Sequence, residues 1–461
     1  MRRRHSAISS PSSASTATTD GARKLLNRRL ALFGGECECE LLPARHRELP
    51  AREAELLYGA IASPPTQGLS AGHPIVAELE GTLAKFHGVE HCFGTSSGHG
   101  ALHACLIGLE ISSGDEVITS PYSWGSSVSC ILHNNALPTF ADVDPETGLL
   151  DPAGLEEALT PATRAILVPH IFGQVADMAA ILAFARRHGL AVIEDGSHAH
   201  GARFRDHRVG ALGDAAGFSV SGSKPLSTME GGYLLTDRPD VFWNASVSCQ
   251  FPGREGVRGR ADDEGFPAEL TAAADSLIFT YRLTLAAAIL AISQIPNLDH
   301  ENEARRHAAA LFESRLDGLE SMRFPQQQED RAGTFHILTL NFDAERAGVS
   351  RDTFLSALRA EGVPAVVYLR MGLHRSPRLS PRWNGPRVMW TENLRRCDAD
   401  PTATHLPGCD ARTAQSIDIS WHDLGGGDSA VESLARAFLK VEENLDVLRR
   451  HERATSIQAS A

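Results

Sequence analysis

The sequence predicts an α/β fold: a mainly parallel sheet covered by helices on both faces, followed by a smaller C-terminal α+β domain. Between about residues 89 and 237, short apolar runs alternate with segments of helical spacing. Such alternation is typical of a parallel sheet between two helix layers. After about residue 275 the pattern changes to longer helices with fewer strands, and 461 residues exceed the length of one ordinary domain.

The large domain is predicted to contain about seven strands, mostly separated by helices. In chain order, the strands are predicted in EHCFGTSSG, DEVITSPYSW, LPTFADVD, TRAILVPHIFG, LAVIEDGSHAHG, DAAGFSVSGS and GGYLLTD. The intervening helices are predicted in HGALHACLIGLE, GSSVSCILHNN, DPAGLEEAL and DMAAILAFARRHG. The last of these ends at a glycine, as C-caps commonly do.

Four segments are predicted along the chain. Residues 1–25 are rich in Ser, Thr and Pro and are expected to form a disordered tail, because such composition buries too little apolar surface to fold. Residues 26–300 form the large domain, residues 301–450 the small domain, and residues 451–461 a C-terminal tail.

Composition excludes several classes of function. The formal charge of −13 argues against a general nucleic-acid or anionic-membrane surface. No apolar run approaches about 18 residues and the N-terminus lacks an apolar signal region, so we expect a cytoplasmic protein. The eight cysteines are scattered and are interpreted as reduced thiols. The Cys37-Glu-Cys39 spacing alone is weak evidence for a metal site, so none is expected.

The candidate ligand site lies where the strands end, because ligands of open α/β sheets bind at the carboxyl ends of the strands. Thr95-Ser96-Ser97-Gly98 follows the first strand and opens a helix. Small residues at a helix N-terminus favour a bound phosphate. The same residues are also typical of an ordinary N-cap turn.

Three further side chains follow other strands. Trp124 follows the second strand and is a candidate for stacking on an aromatic ligand, or else a core anchor. Asp195 comes directly after a buried apolar strand, where a carboxylate needs a partner such as a protonated ring nitrogen; a turn cap is the alternative. His198 follows it and is interpreted either as a ligand contact or as a structural histidine.

Lys224 stands out because lysine is rare in this chain. Of 44 basic residues only four are lysines, and this one lies among serines and glycines, five residues after Ser219. An amine can lose its proton in a protein, whereas a guanidinium cannot. Alone, Lys224 could equally be a solvated surface lysine. A phosphate cradle, a stacking ring, a strand-end aspartate and such a lysine together are the parts that a pyridoxal 5′-phosphate enzyme requires.

Several stretches resemble one known family in order and spacing. They are SSGHGALHACLIGL, GDEVITSPYSW, PTFADVDPETGLLDPAGLEEALTPATRAILVPHIFGQVADM, VIEDGSHAHGA, RVGALGDAAGFSVSGSKPLSTMEGGYLLTD and YRLTLAAAILAI. From about residue 50 to 445, the chain resembles the DegT/DnrJ/EryC1/StrS family of pyridoxal-phosphate-dependent sugar aminotransferases. The resemblance implies the fold type I architecture of aspartate aminotransferase and a homodimer with a shared active site.

The resemblance also implies residue roles. Lys224 would form the Schiff base with the cofactor, Asp195 would pair with its pyridine nitrogen, and Trp124 would stack on its ring. His198 stands where the family often has a glutamine facing the cofactor's phenolic oxygen. Lys224 and Asp195 are therefore the expected catalytic residues.

The implied phosphate site contains Ser97, Gly98 and Ser219. His99 lies beside it, where the family commonly has a small hydroxyl residue, and we expect it to contact the cofactor. Met229 replaces the usual glycine before the Glu-Gly-Gly motif. These departures affect the expected phosphate geometry and substrate fit and leave the lysine and the aspartate untouched.

Three residues are implied to act at the edges of the site. Thr280 stands where an asparagine often reaches the neighbouring subunit's cofactor. VVYLRMGLHRSPRLSPRWNG resembles a segment of aminoglycoside cyclitol aminotransferases that contains a tyrosine and a histidine, here Tyr368 and His374. Both are candidate substrate contacts. The arginines of this segment, at positions 370, 375 and 378, would either meet a nucleotide diphosphate or form a solvated face.

The predicted reaction is a two-stage transamination. Glutamate or glutamine would convert pyridoxal phosphate to pyridoxamine phosphate, which would then aminate a keto sugar or keto-cyclitol in antibiotic, secondary-metabolite or surface-sugar biosynthesis. One alternative is a pyridoxamine-dependent sugar dehydratase of the same family, but those enzymes lack the lysine found here as Lys224. A second is a non-catalytic regulatory paralogue, for which loss of Lys224 or Asp195 would be expected, and neither is lost.

Overall fold

The structure is a computed structural model, and its elements follow the predicted alternation. It describes residues 29–39, 49–62, 73–222, 224–250, 278–386, 388–420 and 427–459. The strands are β1 His91–Thr95, β2 Glu116–Thr119, β3 Leu137–Phe140, β4 Thr163–Pro169, β5 Ala191–Asp195, β6 Arg203–Phe204, β7 His207–Arg208, β8 Ala215–Ser219, β9 Gly232–Thr236, β10 Met322–Arg323, β11 Arg331–Ala332, β12 Ile337–Phe342, β13 Ala365–Val366 and β14 Ser416–Ser420.

Helices connect most of these strands. The α-helices are α1 Ala51–Ala62, α2 Pro74–His87, α3 Gly98–Gly108, α4 Ser126–His133, α5 Leu155–Ala158, α6 Met178–His188, α7 Pro239–Cys249, α8 Leu285–Gln294, α9 Leu298–Arg315, α10 Ala344–Ala347, α11 Arg351–Ala360, α12 Thr391–Arg396, α13 Pro407–Gln415, α14 Asp428–Glu443 and α15 Leu445–Ala459. Short 3₁₀ helices span Ala31–Phe33, Pro152–Gly154, Ile171–Gly173, Ile295–Asn297, Leu373–Arg375, Pro377–Leu379 and Pro401–Ala403.

The central sheet has seven strands in the order β1-β9-β8-β5-β4-β2-β3. Strands β3, β2, β4, β5 and β8 run parallel, and β9 pairs antiparallel with both β8 and β1. All seven predicted strands are present, which confirms the fold class. Successive residues of a strand enter opposite cores: Ile166 and Val192 pack on one face, and Leu167 and Ile193 on the other. Burial of both faces explains why these strands read as continuous apolar runs.

The C-terminal part forms a second core around the antiparallel sheet β10-β12-β14-β13. Phe312 of α9, Leu340 of β12, Phe354 of α11 and Phe438 of α14 are fully buried in it. The boundary predicted near residue 300 falls close to the start of α9. The domain limits as a whole stay a prediction, because both cores draw residues from distant parts of the chain.

The structure differs from the sequence-based expectation in three places. Residues 29–39, assigned to the large domain, instead pack against the small one: Glu361 accepts hydrogen bonds from the N–H groups of Ala31 and Glu38 at 2.7 and 3.1 Å. Residues 451–459, expected as a tail, belong to helix α15. The apolar segment from Tyr281 to Ile295, whose composition also suits a subunit interface, contains α8, which buries most of its side chains inside the chain, against α1 and α2.

Two further expectations concern the N-terminal tail and membrane-spanning segments. The predicted N-terminal tail, residues 1–25, lies outside the described residues. Among the helices that are described, none combines the length and the apolar character needed to cross a bilayer.

Candidate active site

A cavity of about 400 Å³ opens where β1, β5 and β8 end. It contains nine of the residues predicted for the site. They are Ser97, Gly98, His99, Trp124, Asp195, His198, Ser219, Lys224 and Tyr368. Strand ends that are far apart in sequence therefore converge on one cavity, as expected for an open α/β sheet.

One end of the cavity is a cradle of small residues, which we call the phosphate end: Ser97, Gly98 and Ser219. Ser97 caps α3, its Oγ accepting a hydrogen bond from the N–H of Gly100 at 3.0 Å. Helix α3 packs so closely on β8 that a Cβ on Gly98 would lie 2.4 Å from the Cβ of Ser219. The glycine is required for this approach, which aims the first N–H groups of the helix at the cavity.

The other end, which we call the ring end, is organised around Asp195. Its carboxylate is 7% exposed and accepts two hydrogen bonds. The Oγ of Ser127 donates to Oδ2 at 2.7 Å, and the N–H of Ser197 donates to Oδ1 at 3.1 Å. Ser123 in turn lies 2.8 Å from Ser127, Oγ to Oγ. These contacts fix the orientation of the carboxylate within the cavity.

Glu194, the preceding residue of β5, points to the opposite face and forms a separate buried pair. Its Oε2 lies 3.1 Å from Nε2 of His170, whose Nδ1 accepts a hydrogen bond from the N–H of Ala176. The N–H groups of Gly210, Leu212 and Gly213 also donate to it. Burial raises the pKa of Glu194, but the contacts with His170 and these amides outweigh burial and lower it.

Lys224 lies in the loop after β8, with its side chain in the cavity. Burial lowers the pKa of its amine to about 8, while the nearby carboxylate of Asp195 opposes that shift. An ordinary lysine has a pKa of about 10.4. Near neutral pH the site therefore holds a far larger fraction of free amine than a surface lysine would.

His198 is buried and neutral. Burial, together with Lys224 and the neighbouring rings of His336 and His200, holds its pKa well below the usual range. Its Nδ1 accepts a hydrogen bond from the N–H of Phe172 at 3.1 Å. The single proton of the neutral ring therefore lies on Nε2, which makes His198 a hydrogen-bond donor through that atom.

Two strained residues flank this histidine. Phe172 has φ 61° and Phe335 has φ 49°, the left-handed region that bulky residues avoid. Such a conformation costs about 1–3 kcal/mol and persists only where the surroundings enforce it. Here Thr334 does so, donating from Oγ1 to the carbonyl of His198 and from its N–H to that of Gly173. The strain positions the Phe172 amide beside His198 and His336 beside the cavity.

Tyr368 approaches from the small domain and touches Phe172, at 5.0 Å between ring centroids. Its hydroxyl oxygen is buried, and no hydrogen-bond partner for it is present among the described residues. Burial, then the charge of Asp195, raises the pKa of this phenol, so it remains a protonated donor. A buried hydroxyl without a partner normally costs free energy, so this group is available to donate to a ligand or a water molecule in the cavity.

Several lining residues were not predicted from the sequence: Ser126, Ser197, Ser221, His170, Glu230 and His336. His336 is the most notable, because it is 5% exposed and its ring lies 4.5 Å from that of His198. It follows the strained Phe335 at the start of β12. The Gly333-Thr334-Phe335-His336 sequence contains no motif that predicts a site residue, because the backbone strain at Phe335 is visible only in the structure.

Other predicted residues lie outside the cavity lining. Thr280 is exposed ahead of α8, so its role at a neighbouring subunit's cofactor stays a prediction. His374 is buried beside Phe140, at 6.0 Å between ring centroids, and its substrate role likewise stays a prediction. Two of the three arginines considered for a diphosphate are paired instead, Arg370 with Asp352 and Arg375 with Asp410.

Comparison with known proteins decides the family. Residues 61–395 match the DegT/DnrJ/EryC1/StrS aminotransferase family. The chain belongs to this aminotransferase family. It is 33% identical to L-glutamine:2-deoxy-scyllo-inosose aminotransferase of Streptoalloteichus tenebrarius, over 87% of this chain and 92% of that protein. It is also 34% identical to L-glutamine:scyllo-inosose aminotransferase of Streptomyces griseus, over 80% of this chain and 86% of that protein.

A solved structure supports the same assignment. S. venezuelae DesV, in complex with a ketimine intermediate, is 27% identical and superposes with a TM-score of 0.67, covering 86% of this chain and 94% of that chain. The fold type I architecture of this aminotransferase family therefore accounts for the seven-stranded sheet and the position of the cavity at its strand ends.

Proposed function

We propose that this member of the family is a pyridoxal-phosphate-dependent aminotransferase that moves an amino group from glutamine or glutamate to a keto-cyclitol or keto sugar. The observation that carries the proposal is Lys224, whose amine has its pKa lowered to about 8 in the same cavity as Asp195. When bound, the cofactor supplies an electron sink for carbanion chemistry.

The residues of the cavity fit such a cofactor. Gly98, at the N-terminus of α3, leaves room for a phosphate beside Ser219. Asp195, held by two hydrogen bonds, is a suitable partner for a protonated ring nitrogen. His198 presents its proton on Nε2, as a phenolic oxygen requires. Trp124, 65% exposed at the cavity, offers a flat surface for the ring.

Lys224 also serves as the proton carrier. With a pKa of about 8, its Nζ exists in both protonation states near neutral pH, so it can take a proton from a substrate carbon and return it. This requirement separates the proposed reaction from the dehydratase alternative, whose enzymes lack the lysine.

A keto-cyclitol is the acceptor we favour, with glutamine as the donor. The two relatives reported above are named for those substrates. The pairing of Arg370 and Arg375 with carboxylates also leaves less positive charge for a nucleotide diphosphate. Tyr368 has a buried hydroxyl that an oxygen-rich acceptor would satisfy.

We further propose a cytoplasmic homodimer in which each subunit completes the other's site. The support is the exposure of Trp124 and Thr280 in the single chain. Static light scattering measures the mass directly, and a monomer at working concentrations would contradict this part.

The test is an assay of purified protein with glutamine or glutamate against keto-cyclitols and nucleotide-linked keto sugars. Wild type should bind pyridoxal phosphate with the absorbance of a lysine-bound cofactor, and Lys224→Ala should lose both this absorbance and turnover. Lys85→Ala, at an exposed position of helix α2, is the matched control and should retain both. Turnover by Lys224→Ala at the wild-type rate would refute the proposal.

A further inference from the structure

In the single chain, the described lining of the phosphate end offers little positive charge for the doubly charged group that the proposed function puts there. Among the lining residues, Lys224 is the one lysine and there is no arginine, whereas Asp195 and Glu230 are carboxylates. A phosphomonoester carries a charge of about −1.5 to −2 at neutral pH. The α3 N-terminus supplies only about half an elementary charge, and the proposed function commits Lys224 to the cofactor's ring.

His99 lies at this end, as the second residue of α3 and directly after Gly98. Its Nε2 is 2.9 Å from Nδ1 of His133 on α4, and its Nδ1 is 3.4 Å from Oγ of Ser129. No carboxylate in the described part of the chain forms an ion pair with it. His133 is exposed, so this imidazole pair connects the cavity to solvent.

The groups facing His99 disfavour a positive charge while the cavity is empty of anions. They are His133 from α4 and His103 from α3, the latter bonded through Nδ1 to the hydroxyl of Tyr281 at 2.8 Å. Trp390, ahead of α12, packs against His133. Burial, then the charge of His133, lowers the pKa of His99 to about 4. The pair is therefore neutral near pH 7 until an anion enters.

We propose that His99, bonded to His133, is the counter-charge of the cofactor phosphate: one proton enters the imidazole pair from solvent when the phosphate binds. The proton adds to a ring nitrogen and converts a neutral N–H···N contact into a cationic one, and no other bond changes. This inference rests on the proposed function. It assigns to His99 a role that a small hydroxyl residue at this position cannot perform.

The sign of the pH dependence follows from the two states of the pair. In the ligand-free protein the pKa of His99 is about 4, and the phosphate raises it. Between these two values, binding takes up a proton. The histidine's contribution to phosphate affinity therefore falls as pH rises between the two values and is lost above the raised pKa.

The experiment is calorimetric titration of the apoprotein with pyridoxamine 5′-phosphate, in two buffers of different ionisation enthalpy. Pyridoxamine without phosphate is the matched ligand. Wild type should take up more protons per bound pyridoxamine phosphate than His99→Gln, by up to one. Titration above pH 7, where a phosphomonoester with a pKa of about 6 is almost fully ionised before binding, limits the contribution of the phosphate's own ionisation. Wild type should bind pyridoxamine phosphate about tenfold more tightly than His99→Gln for each pH unit by which the raised histidine pKa exceeds the pH of the titration, and the difference should vanish at alkaline pH.

His133→Gln provides a second variant, because its side chain is exposed and its loss should not compromise folding. It removes the basic ring nitrogen that shares the proton with His99 but keeps a hydrogen-bond acceptor, so we expect proton uptake between those of wild type and His99→Gln. Equal proton uptake by all three proteins would overturn the inference. So would a difference between wild type and His99→Gln that is as large with pyridoxamine as with pyridoxamine phosphate. Failure of wild type to bind pyridoxamine phosphate at all would instead count against the proposed function.

Discussion

The ring end and the phosphate end of the cavity hold charge in different ways. At the ring end, Asp195 is fixed by Ser127 and by the N–H of Ser197, and it faces an amine of lowered pKa. At the phosphate end, small residues and neutral imidazoles surround the cradle. A carboxylate held in one orientation suits a ring nitrogen that stays protonated during turnover, whereas neutral imidazoles suit a group whose charge is present only when the cofactor is bound.

The largest expected effect tests the ring end. Asp195→Asn keeps the shape of the side chain and one acceptor oxygen for the N–H of Ser197, while its NH2 group can donate to the Oγ of Ser127. Because the substitution removes the charge, cofactor should remain bound while turnover falls by roughly 10²–10³-fold, as for loss of other electrostatic contributions in active sites. Cofactor absorbance and steady-state kinetics measure the two effects. Full turnover by this variant would show that Asp195 does not have the assigned role.

The neighbouring carboxylate is the control for that substitution. Glu194→Gln disturbs the buried pair with His170 and should lower the free energy of unfolding by about 1–3 kcal/mol with a smaller effect on turnover than Asp195→Asn. Chemical denaturation measures it. Glu194 and Asp195 point to opposite faces of β5, so the first substitution should mainly lower stability and the second should mainly lower turnover.

The second prediction concerns the amine itself. With a pKa of about 8, Lys224 should have a free-amine fraction about two orders of magnitude above that of an ordinary lysine near neutral pH. In the apoprotein, its acetylation by a small reagent, followed by mass spectrometry, should rise with pH to a midpoint near this value. Pyridoxal phosphate should protect it. A midpoint near that of a free lysine would show that the site does not lower the pKa.

The third prediction tests the close packing of the phosphate end. Gly98→Ala places a methyl group against Ser219, where the backbones must separate, and should cost about 1–3 kcal/mol of stability and weaken binding of pyridoxal phosphate about tenfold. Gly81→Ala, in α2 with open space around it, should instead stabilise by about 0.5–1 kcal/mol. Equal cofactor affinity for the Gly98 variant and wild type would contradict a phosphate at this position.

Site residues that the sheet topology positions could be predicted from the sequence, whereas those positioned by local backbone strain could not. Asp195 ends an apolar strand, and Ser97 and Lys224 lie in the segments that follow two others. The topology of the sheet brings such positions together whatever the details of packing. His336 enters the site through the strained backbone of Phe335 and the hydrogen bonds of Thr334, which no local pattern encodes. The packing of residues 29–39 against Glu361 of the small domain was likewise not predicted, because no local pattern encodes a contact between segments so far apart in sequence.

The smallest expected effect lies between the two ends, at Tyr368. Its hydroxyl is buried without a described partner, so Tyr368→Phe should leave the free energy of unfolding unchanged or slightly higher. If the acceptor satisfies this hydroxyl, KM for the acceptor should rise about 3–10-fold, the loss expected from one hydrogen bond of about 1 kcal/mol, while KM for the amino donor changes less. Tyr122→Phe is the matched control, because the Tyr122 hydroxyl donates to Ser416 and does not line the cavity. It should reduce stability without altering KM. An unchanged acceptor KM in Tyr368→Phe would place acceptor recognition elsewhere in the cavity, with His336 the next side chain to replace.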